Sequence, residues 1–479
     1  MLFTEPAFLF VFLPLLLALH LAPWSRYRNG LLLVASVIFY ARGGGAFTWL
    51  ILGSILFNYA AALAVDRYRH GPAGRRLLAA VVGGNLLVLG VFKYATFAVD
   101  NLNAVLAAVG VAPVGVPPIV LPIGISFFTF HAISYVVDVH RRDAVAQKGV
   151  VEAALYLLLF PQLIAGPIIR YRDIAAQLTS RRVTIDDMGE GVRRFVVGLA
   201  KKMLVANVVA GPADRIFAMP AAELTAAHAW IGVTCYTLQI YFDFSGYSDM
   251  AIGLARLFGF RFVENFRHPY VATSIQDFWR RWHMSLSAWF RDYLYVPLGG
   301  NRVSPARVYA NLVTVFFLCG LWHGASWTFV TWGLFHGLFL VLERLGLASA
   351  VAALPRPVRH AYAVLVVMVG WVFFRAGTLA GAVAMLGAMA GLGAGRPTMY
   401  AASWYLSPEL LLAAAVGIVG STPVAALAAR RLSRAPAGAE PALGAVPSAL
   451  ATAGLLVLFA ACVMLVAART YNPFIYFQF

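Results

Sequence analysis

The feature that most constrains this chain is a series of apolar stretches long enough to cross a lipid bilayer. A helix needs about 20 apolar residues to span a hydrocarbon core of about 30 Å. Of the 479 residues, 61% are hydrophobic and only 12% are charged, about half the charged share of an ordinary soluble domain. The sequence therefore predicts an all-α polytopic membrane protein with ten or eleven spans and one domain, residues 1–479. The clearest spans are Ala7–Leu21, Phe47–Val65, Leu77–Val99, Val120–Val139, Trp230–Phe244, Ala361–Phe374, Leu410–Leu427 and Ala449–Val466, with a loop predicted at Ala435–Ser448.

The net charge of +17 does not indicate a nucleic-acid-binding protein. The basic residues lie mostly in short loops between apolar segments, as expected for the bias of cytoplasmic loops toward Lys and Arg. The three cysteines, Cys235, Cys319 and Cys462, lie far apart in apolar runs. This spacing predicts neither a disulfide framework nor a metal site.

The basic loops also give an orientation. The loop after the first apolar segment and the loop at Arg67–Arg76 are both basic, which predicts that they are cytoplasmic and that the N-terminus is outside. The segment Ala154–Asp173, "ALYLLLFPQLIAGPIIRYRD", breaks the alternation, because a full crossing would place Arg170 outside. Pro161 and the pair Gly166-Pro167 interrupt a helix there. We expect a segment that enters the membrane and folds back; the alternative is a kinked helix that violates the charge rule.

The stretch "QDFWRRWHMSLSAWFRDYLYVPLGGNR" (Gln276–Arg302) is the most charged aromatic segment of the chain. Its large apolar residues recur at three- and four-residue spacing, which predicts one apolar helix face. In the same helix Arg280, His283, Ser287 and Arg291 would share a separate face. Two interpretations remain open: a helix lying flat at the membrane interface, or a helix tilted into the protein with its polar face lining a cavity.

The stretch "GLWHGASWTFVTWGLFHG" (Gly320–Gly337) places histidines inside an apolar run. The apolar arms Val308–Trp322 and Trp327–Leu342 have about 15 and 16 residues, so each spans only about 22–24 Å. The turn between them, with His323, would then lie at membrane depth, where an ionisable residue is a candidate functional group. His336, on the second arm, is expected to be a buried core residue.

The residues limit the chemistry that such a site can perform. No phosphate-binding glycine loop, nucleophile elbow or His-Glu-x-x-His helix occurs. A neutral imidazole can accept the proton of a hydroxyl as that hydroxyl attacks a thioester or ester. His283 and His323, with arginines to hold an anionic donor, would suffice for acyl transfer, and equally for a proton-coupled transporter.

Five motifs together resemble the membrane-bound O-acyltransferase family, in its bacterial polysaccharide-acetylating branch. They follow the family's order and define a motif-bearing core at about residues 120–345. They are "PIGISFFTFHAISYVVDV" (Pro122–Val139), "FPQLIAGPIIR" (Phe160–Arg170), "YFDFSGYSDMAIGLARLFGF" (Tyr241–Phe260), "DFWRRWHMSLSAWFRDYLYVPLGGNR" (Asp277–Arg302) and the His323 stretch itself.

The resemblance implies about eleven transmembrane helices, with re-entrant and amphipathic helices, around a central tunnel. It implies that His323, in Trp-His-Gly, and His283, in Arg-Trp-His, are the catalytic histidines. It also implies transfer of an acetyl group from a cytoplasmic donor, acetyl-CoA, through the bacterial inner membrane to an exported polysaccharide such as alginate. No permanently bound cofactor is expected. Arg280 and Arg291 are the candidates for binding the CoA phosphates.

Periplasmic acetyltransferase subunits, the exported polysaccharide and membrane lipid are the partners that the resemblance implies. Three alternatives stay open at this point: D-alanyl transfer to teichoic acid, acetylation of another glycan, and a transporter of an acyl donor without chemistry of its own. No serine or cysteine is placed as an evident nucleophile, so direct transfer without an acyl-enzyme is expected.

Overall fold

The computed structural model describes residues 1–22, 27–393, 400–433 and 445–468. Over these residues the chain is all-α, without a β-strand. The helices are α1 (Phe8–Leu21), α2 (Arg28–Gly44), α3 (Phe47–Tyr68), α4 (Pro72–Ala108), α5 (Ile125–Arg141), α6 (Val150–Leu158), α7 (Phe160–Leu163), α8 (Tyr171–Thr179), α9 (Ile185–Phe217), α10 (Ala226–Leu257), α11 (Ile275–Trp279), α12 (Met284–Phe290), α13 (Pro305–His323), α14 (Trp327–Ala352), α15 (Arg356–Arg375), α16 (Leu379–Met389), α17 (Pro408–Gly420), α18 (Val424–Ser433) and α19 (Ala445–Ala467). Most of the loop predicted at Ala435–Ser448 lies outside the described residues.

The lengths of these helices confirm a polytopic membrane protein. Within the described ranges, seven helices are long and apolar enough to cross a bilayer, and three shorter apolar helices accompany them. Two predicted spans are helical over clearly less of their predicted length. Val120–Val139 is helical only from Ile125, because Gly124 adopts a left-handed conformation with φ of 73° against the backbone of α7. Leu410–Leu427 ends as a helix at Gly420, and a turn separates it from α18.

Glycines bring α9 and α10 into direct backbone contact at the centre of the protein. A Cβ at Gly198 would lie 2.6 Å from the carbonyl oxygen of Gly246, and one at Gly253 would lie 2.6 Å from that of Gly191. Small residues allow membrane helices to approach closely, and backbone packing then replaces the hydrophobic effect as the source of attraction. Thr184 begins α9 by accepting a hydrogen bond from the backbone N–H of Asp187 at 3.0 Å. These two helices form the scaffold on which the loops of the site rest.

The segment with Pro161 folds back, as its sequence predicts. The nine residues of α6 extend about 14 Å, less than half of a bilayer core. After the four-residue helix α7 the chain is non-helical and buried until α8 begins at Tyr171. The Tyr171 hydroxyl then donates to the carbonyl oxygen of Val145, and Arg172 donates to Asp143 at 3.0 Å. Because these partners precede α6, the segment begins and ends at the same side of the protein.

The continuous amphipathic helix predicted over Gln276–Arg302 is wrong. The chain forms the short helices α11 and α12, and between them His283 takes a left-handed conformation with φ of 44°. Backbone hydrogen bonds from Arg267 to Arg281 and from Met284 to Asn265, both 2.9 Å, stabilise this break. Tertiary pairing therefore overrides the helical periodicity.

The aromatic residues of this stretch pack inside the protein. Trp282, Leu286 and Trp289 are buried, and the Trp289 ring stacks on Phe130 with centroids 3.6 Å apart. A flat helix with its tryptophans at the lipid headgroups is therefore excluded. The second interpretation is correct only in its direction: the aromatic residues enter the protein, but one tilted helix with a polar face does not form, because the helix breaks at His283 and Arg280 and Arg291 are exposed.

The hairpin of α13 and α14 is packed through glycines. A Cβ at Gly333 would lie 2.2 Å from the carbonyl oxygen of Phe316 and 3.1 Å from the Cα of Gly320. The predicted 15-residue first arm is too short, because α13 begins at Pro305 and has 19 residues, or about 28 Å. His323 is the last residue of this helix and is 7% exposed. Its burial results from the packing of neighbouring helices, not from a short helix.

Candidate active site

The fold brings His283 and His323 together from different elements. Their ring centroids are 6.5 Å apart, although 40 positions of sequence separate them. His283 is fully buried at the break between α11 and α12, and His323 ends α13. Within the described part of the chain, the Nε2 atoms of both rings are buried without a hydrogen-bond partner. Buried polar atoms are normally paired, so two such nitrogens near each other indicate a site for a reacting group.

A short hydrogen-bond network holds His283. Its Nδ1 lies 3.1 Å from the Oδ1 of Asn265, which also accepts from the backbone N–H of Ser285 at 3.3 Å and from the Ser285 hydroxyl at 2.8 Å. The Ser285 hydroxyl in turn accepts from the backbone N–H of Ile168 at 2.9 Å. His283, Asn265, Ser285 and Ile168 are all buried. The network thus connects this histidine to the segment that folds back.

Aromatic rings surround His323. The centroids of Trp322 and Trp332 lie 4.9 Å from that of the imidazole, and the centroid of Phe374 lies 5.2 Å away. The three contacts are close to edge-on, with interplanar angles between 72° and 87°. Rings in this arrangement fix the imidazole in place.

Lys93 and Tyr94 of α4 hold the end of the helix that carries His323. The ammonium of Lys93 donates to the carbonyl oxygen of Trp322, to that of His323 at 3.2 Å and to the Ser126 hydroxyl at 3.2 Å. The Tyr94 hydroxyl donates to the carbonyl oxygen of Leu321 at 2.8 Å. The last carbonyls of a helix have no partner inside it, and a cation there is also favoured by the helix dipole.

A cavity of about 180 Å³ adjoins this helix end. Lys93, Trp322 and His323 line one side of it, and the chain from Leu121 to Phe127 lines much of the other. A small reactant in this cavity would lie directly against His323.

The two arginines predicted to bind the donor lie apart from the histidines. Arg280 and Arg291 are exposed, whereas His283 is buried, so the shared helix face predicted for them does not form. Arg291 pairs with Asp292 at 2.7 Å, and Arg170 and Arg172 donate to the same carboxylate. Burial would raise the pKa of Asp292, but the hydrogen bond and charge of Arg291, with the charges of Arg170 and Arg172, hold it below its ordinary value.

His336 is a core residue outside the histidine pair, as expected. It is fully buried, and its ring lies 5.2 Å from Trp279 and 5.3 Å from Trp332, measured between centroids. A Cβ at Gly370 would lie 2.7 Å from its Nε2. The three cysteines are free and buried, and the described residues contain no cluster of His, Cys, Asp and Glu that could hold a metal ion.

Comparison with known proteins identifies the family of this chain. The sequence profile of the membrane-bound O-acyltransferase family matches residues 115–379. This chain belongs to the membrane-bound O-acyltransferase family. As a member of that family it is an O-acyltransferase, which removes the non-enzymatic transporter from the alternatives. The matched residues contain both histidines, the segment that folds back and the α13–α14 hairpin.

Three relatives show which members of the membrane-bound O-acyltransferase family this chain resembles. The probable alginate O-acetylase of Pseudomonas putida is 44% identical over the full length of both chains. The peptidoglycan O-acetyltransferase of Helicobacter pylori is 35% identical over 82% of this chain and 80% of its own. The teichoic acid D-alanyltransferase of Bacillus subtilis is 27% identical over 46% of this chain and 58% of its own.

Sequence reasoning missed two residues of the site. Lys93 lies inside the predicted span Leu77–Val99, and a lysine in such a span is itself a signal of function. Asn265 lies in a loop 18 positions before His283 and carries no comparable signal. Its role follows only from the three-dimensional pairing of the two loops.

Proposed function

We propose that this O-acyltransferase takes an acetyl group from acetyl-CoA at the cytoplasmic face of the inner membrane and passes it outward for acetylation of an exported polysaccharide of the alginate type. The full-length identity of 44% to a probable alginate O-acetylase supports the acetyl group and the polysaccharide. The lower identities to the peptidoglycan and teichoic acid enzymes make those acceptors less favoured.

The observation that carries this proposal is the pair of buried histidines. His323 acts as the base: its Nε2 accepts the proton of an acceptor hydroxyl while the hydroxyl oxygen attacks the carbonyl carbon of the acetyl thioester. The C–S bond breaks, and the proton passes from the imidazolium to the departing CoA thiolate. His283, 6.5 Å away between ring centroids, acts on the same reacting groups through its own Nε2.

Transfer is direct in this scheme. Cys235, Cys319 and Cys462 are buried, and none of them is among the residues that line the cavity at His323. No acyl-cysteine is therefore required. Arg280 and Arg291 are exposed cations that could hold the CoA phosphates outside the buried pair, because guanidinium groups bind phosphate through paired hydrogen bonds. Periplasmic acetyltransferase subunits would receive the group on the outer side.

Complementation tests the proposal. A Pseudomonas putida strain that lacks its own probable alginate O-acetylase would express the wild-type chain, His323→Gln or His70→Ala, at matched membrane levels. Glutamine keeps most of the size of histidine but cannot accept a proton, whereas His70 is an exposed loop residue. We expect alginate acetylation with the wild type and His70→Ala and its loss with His323→Gln.

Purified protein separates chemistry from acceptor choice. Wild-type protein should release CoA from acetyl-CoA in the presence of an acceptor, and His323→Gln should not. Normal acetylation by His323→Gln would remove this histidine from catalysis. Failure of the wild-type chain to acetylate alginate, despite turnover of acetyl-CoA, would show that the acceptor is another glycan.

A further inference from the structure

We propose that Asn265 is a positioning residue for catalysis, because it fixes both the tautomer and the orientation of His283. The inference rests on the proposed function in one respect: it takes His283 to be a catalytic group. The role of Asn265 is inferred from the contacts of its side chain and backbone with the segment that carries His283.

The hydrogen bonds identify which atom of the Asn265 amide faces His283. The backbone N–H of Ser285 can only donate, so the Asn265 atom that it contacts at 3.3 Å is the amide oxygen. An amide oxygen can only accept. The Nδ1 of His283, 3.1 Å from this oxygen, must therefore carry a hydrogen. In a neutral imidazole the lone pair is then on Nε2, the atom that lacks a partner in the described structure.

Both hydrogen-bonding roles of the Ser285 hydroxyl are already occupied, so it holds the Asn265 oxygen in place. Its hydroxyl oxygen already accepts from the backbone N–H of Ile168 at 2.9 Å. Its hydrogen is directed at Asn265, 2.8 Å away. Ile168 belongs to the non-helical part of the segment that folds back. The position of the amide oxygen is thus fixed from two sides before the imidazole binds to it.

The backbone of Asn265 also sets the direction of the His283 side chain. His283 has φ of 44°, a left-handed conformation that is uncommon for residues other than glycine. Met284 follows His283, and its backbone N–H donates to the carbonyl oxygen of Asn265 at 2.9 Å. The backbone N–H of Arg267 donates to the carbonyl oxygen of Arg281, also at 2.9 Å. These bonds offset the backbone strain of that conformation and keep the imidazole 6.5 Å from that of His323, between ring centroids.

The chemistry requires this tautomer. An imidazole with hydrogen on Nε2 cannot accept a proton at that atom, which is buried without a hydrogen-bond partner in the described structure. Without the Asn265 oxygen both neutral tautomers become available, and the ring can rotate about its side-chain bonds. General acid–base groups contribute about 10²–10⁴-fold to a rate. We expect Asn265→Ala to lower kcat by about 10- to 100-fold while KM changes by less than about threefold.

Three variants test the role of the oxygen. Asn265→Asp keeps an oxygen that accepts from His283 and Ser285, whereas Asn265→Ala and Asn265→Leu do not. Acetyl-CoA turnover would be measured for each with purified full-length protein, normalised to the folded fraction. We expect Asn265→Asp to retain at least ten times the kcat of Asn265→Ala. Equal kcat values for Asp and Ala variants, or wild-type kcat in Asn265→Ala, would overturn the inference.

A double-mutant cycle separates positioning from general structural damage. If Asn265 acts through His283, then adding Asn265→Ala to His283→Ala should lower the residual rate by less than about twofold. The full loss in both backgrounds would contradict a role through His283. Asn85→Ala is the matched control, because Asn85 is a buried asparagine whose side chain pairs with Asn58 at 2.8 Å, away from the histidines. It should leave kcat unchanged.

The same variants distinguish a failure of the proposed role of His283 from a failure of the positioning role of Asn265. Wild-type turnover by His283→Ala would refute the catalytic assignment of His283, and with it the proposed function of the pair. Strong loss in His283→Ala together with normal turnover in Asn265→Ala would refute only the positioning role.

Discussion

Replacement of Lys93 by methionine tests how the catalytic helix end is held. Methionine has nearly the length of the lysine stem but no charge and no donor. The substitution removes all three hydrogen bonds of the ammonium, to Trp322, His323 and Ser126. It leaves two carbonyl oxygens at the end of α13 without their partner from α4.

The contacts set the magnitude of the effect. A hydrogen bond to a charged group contributes about 1.5–3 kcal/mol. The adjoining cavity, at about 180 Å³, has room for several waters of about 30 Å³ each, so water can replace part of what is lost. Relief from burying the ammonium offsets a further part. We therefore expect a loss of about 2 kcal/mol in the free energy of unfolding.

Activity should respond more strongly than stability. A displacement of about 1 Å in a reacting group can lower a rate by about 100-fold. With the last turn of α13 no longer tied to α4, we expect kcat to fall by about 10- to 100-fold. Thermal unfolding in detergent and acetyl-CoA turnover would measure the two effects. Lys148→Met is the control, because Lys148 is exposed and should tolerate the change within about 0.5 kcal/mol. Wild-type stability and kcat in Lys93→Met would refute the reasoning.

Two further substitutions test packing and charge. Gly333→Ala should reduce the yield of folded protein, because its Cβ would lie 2.2 Å from the carbonyl oxygen of Phe316. Gly387→Ala should leave the yield unchanged, because its Cβ meets nothing within 4 Å. Equal yields of the two variants would contradict the close packing of α13 and α14. Asp292→Asn should lower the free energy of unfolding at pH 7 by about 3 kcal/mol, because it removes the negative charge that pairs with three arginines. Since the pKa of Asp292 is below its ordinary value, its stabilisation is complete above the unfolded pKa of about 3.9 and lost only as the pH falls through the lower folded value. The difference between the two proteins should stay constant from pH 8 to 5, and its disappearance within that range would contradict the pairing.

The sequence was sufficient for the features that depend on local composition. Apolar length predicted the membrane helices, and Pro161 with Gly166-Pro167 predicted the segment that folds back. Both signals act directly on the backbone: proline removes a donor, and a bilayer leaves no water for an unpaired peptide group. The motifs predict His283 and His323 as the catalytic pair; the structure brings the two rings to within 6.5 Å of each other, and their catalytic role stays a prediction.

The sequence could not predict features that depend on distant partners. Periodicity predicts one helix across His283, but two backbone hydrogen bonds, from Met284 to Asn265 and from Arg267 to Arg281, divide it in two. Arg280 and Arg291 are accordingly exposed, whereas His283 is buried, and their binding of the donor stays a prediction. Lys93 meets His323 across 230 positions of sequence, and no local pattern specifies such a contact. The register of a tertiary hydrogen bond is set by the packing of whole helices.

The aromatic rings around His323 have a further consequence, for the cell that holds this protein. Trp332 and Phe374 each lie about 5 Å from the imidazole, and Trp371 stacks on Trp332 at 6.1 Å and meets Phe374 at 5.5 Å. An ion that passed between these rings would have to leave its hydration shell, at a cost of many kcal/mol. If acetyl groups pass between two aqueous compartments, as proposed, an open path for ions beside them would dissipate the membrane potential. The rings around His323 would block ions at this point while the acetyl group is transferred.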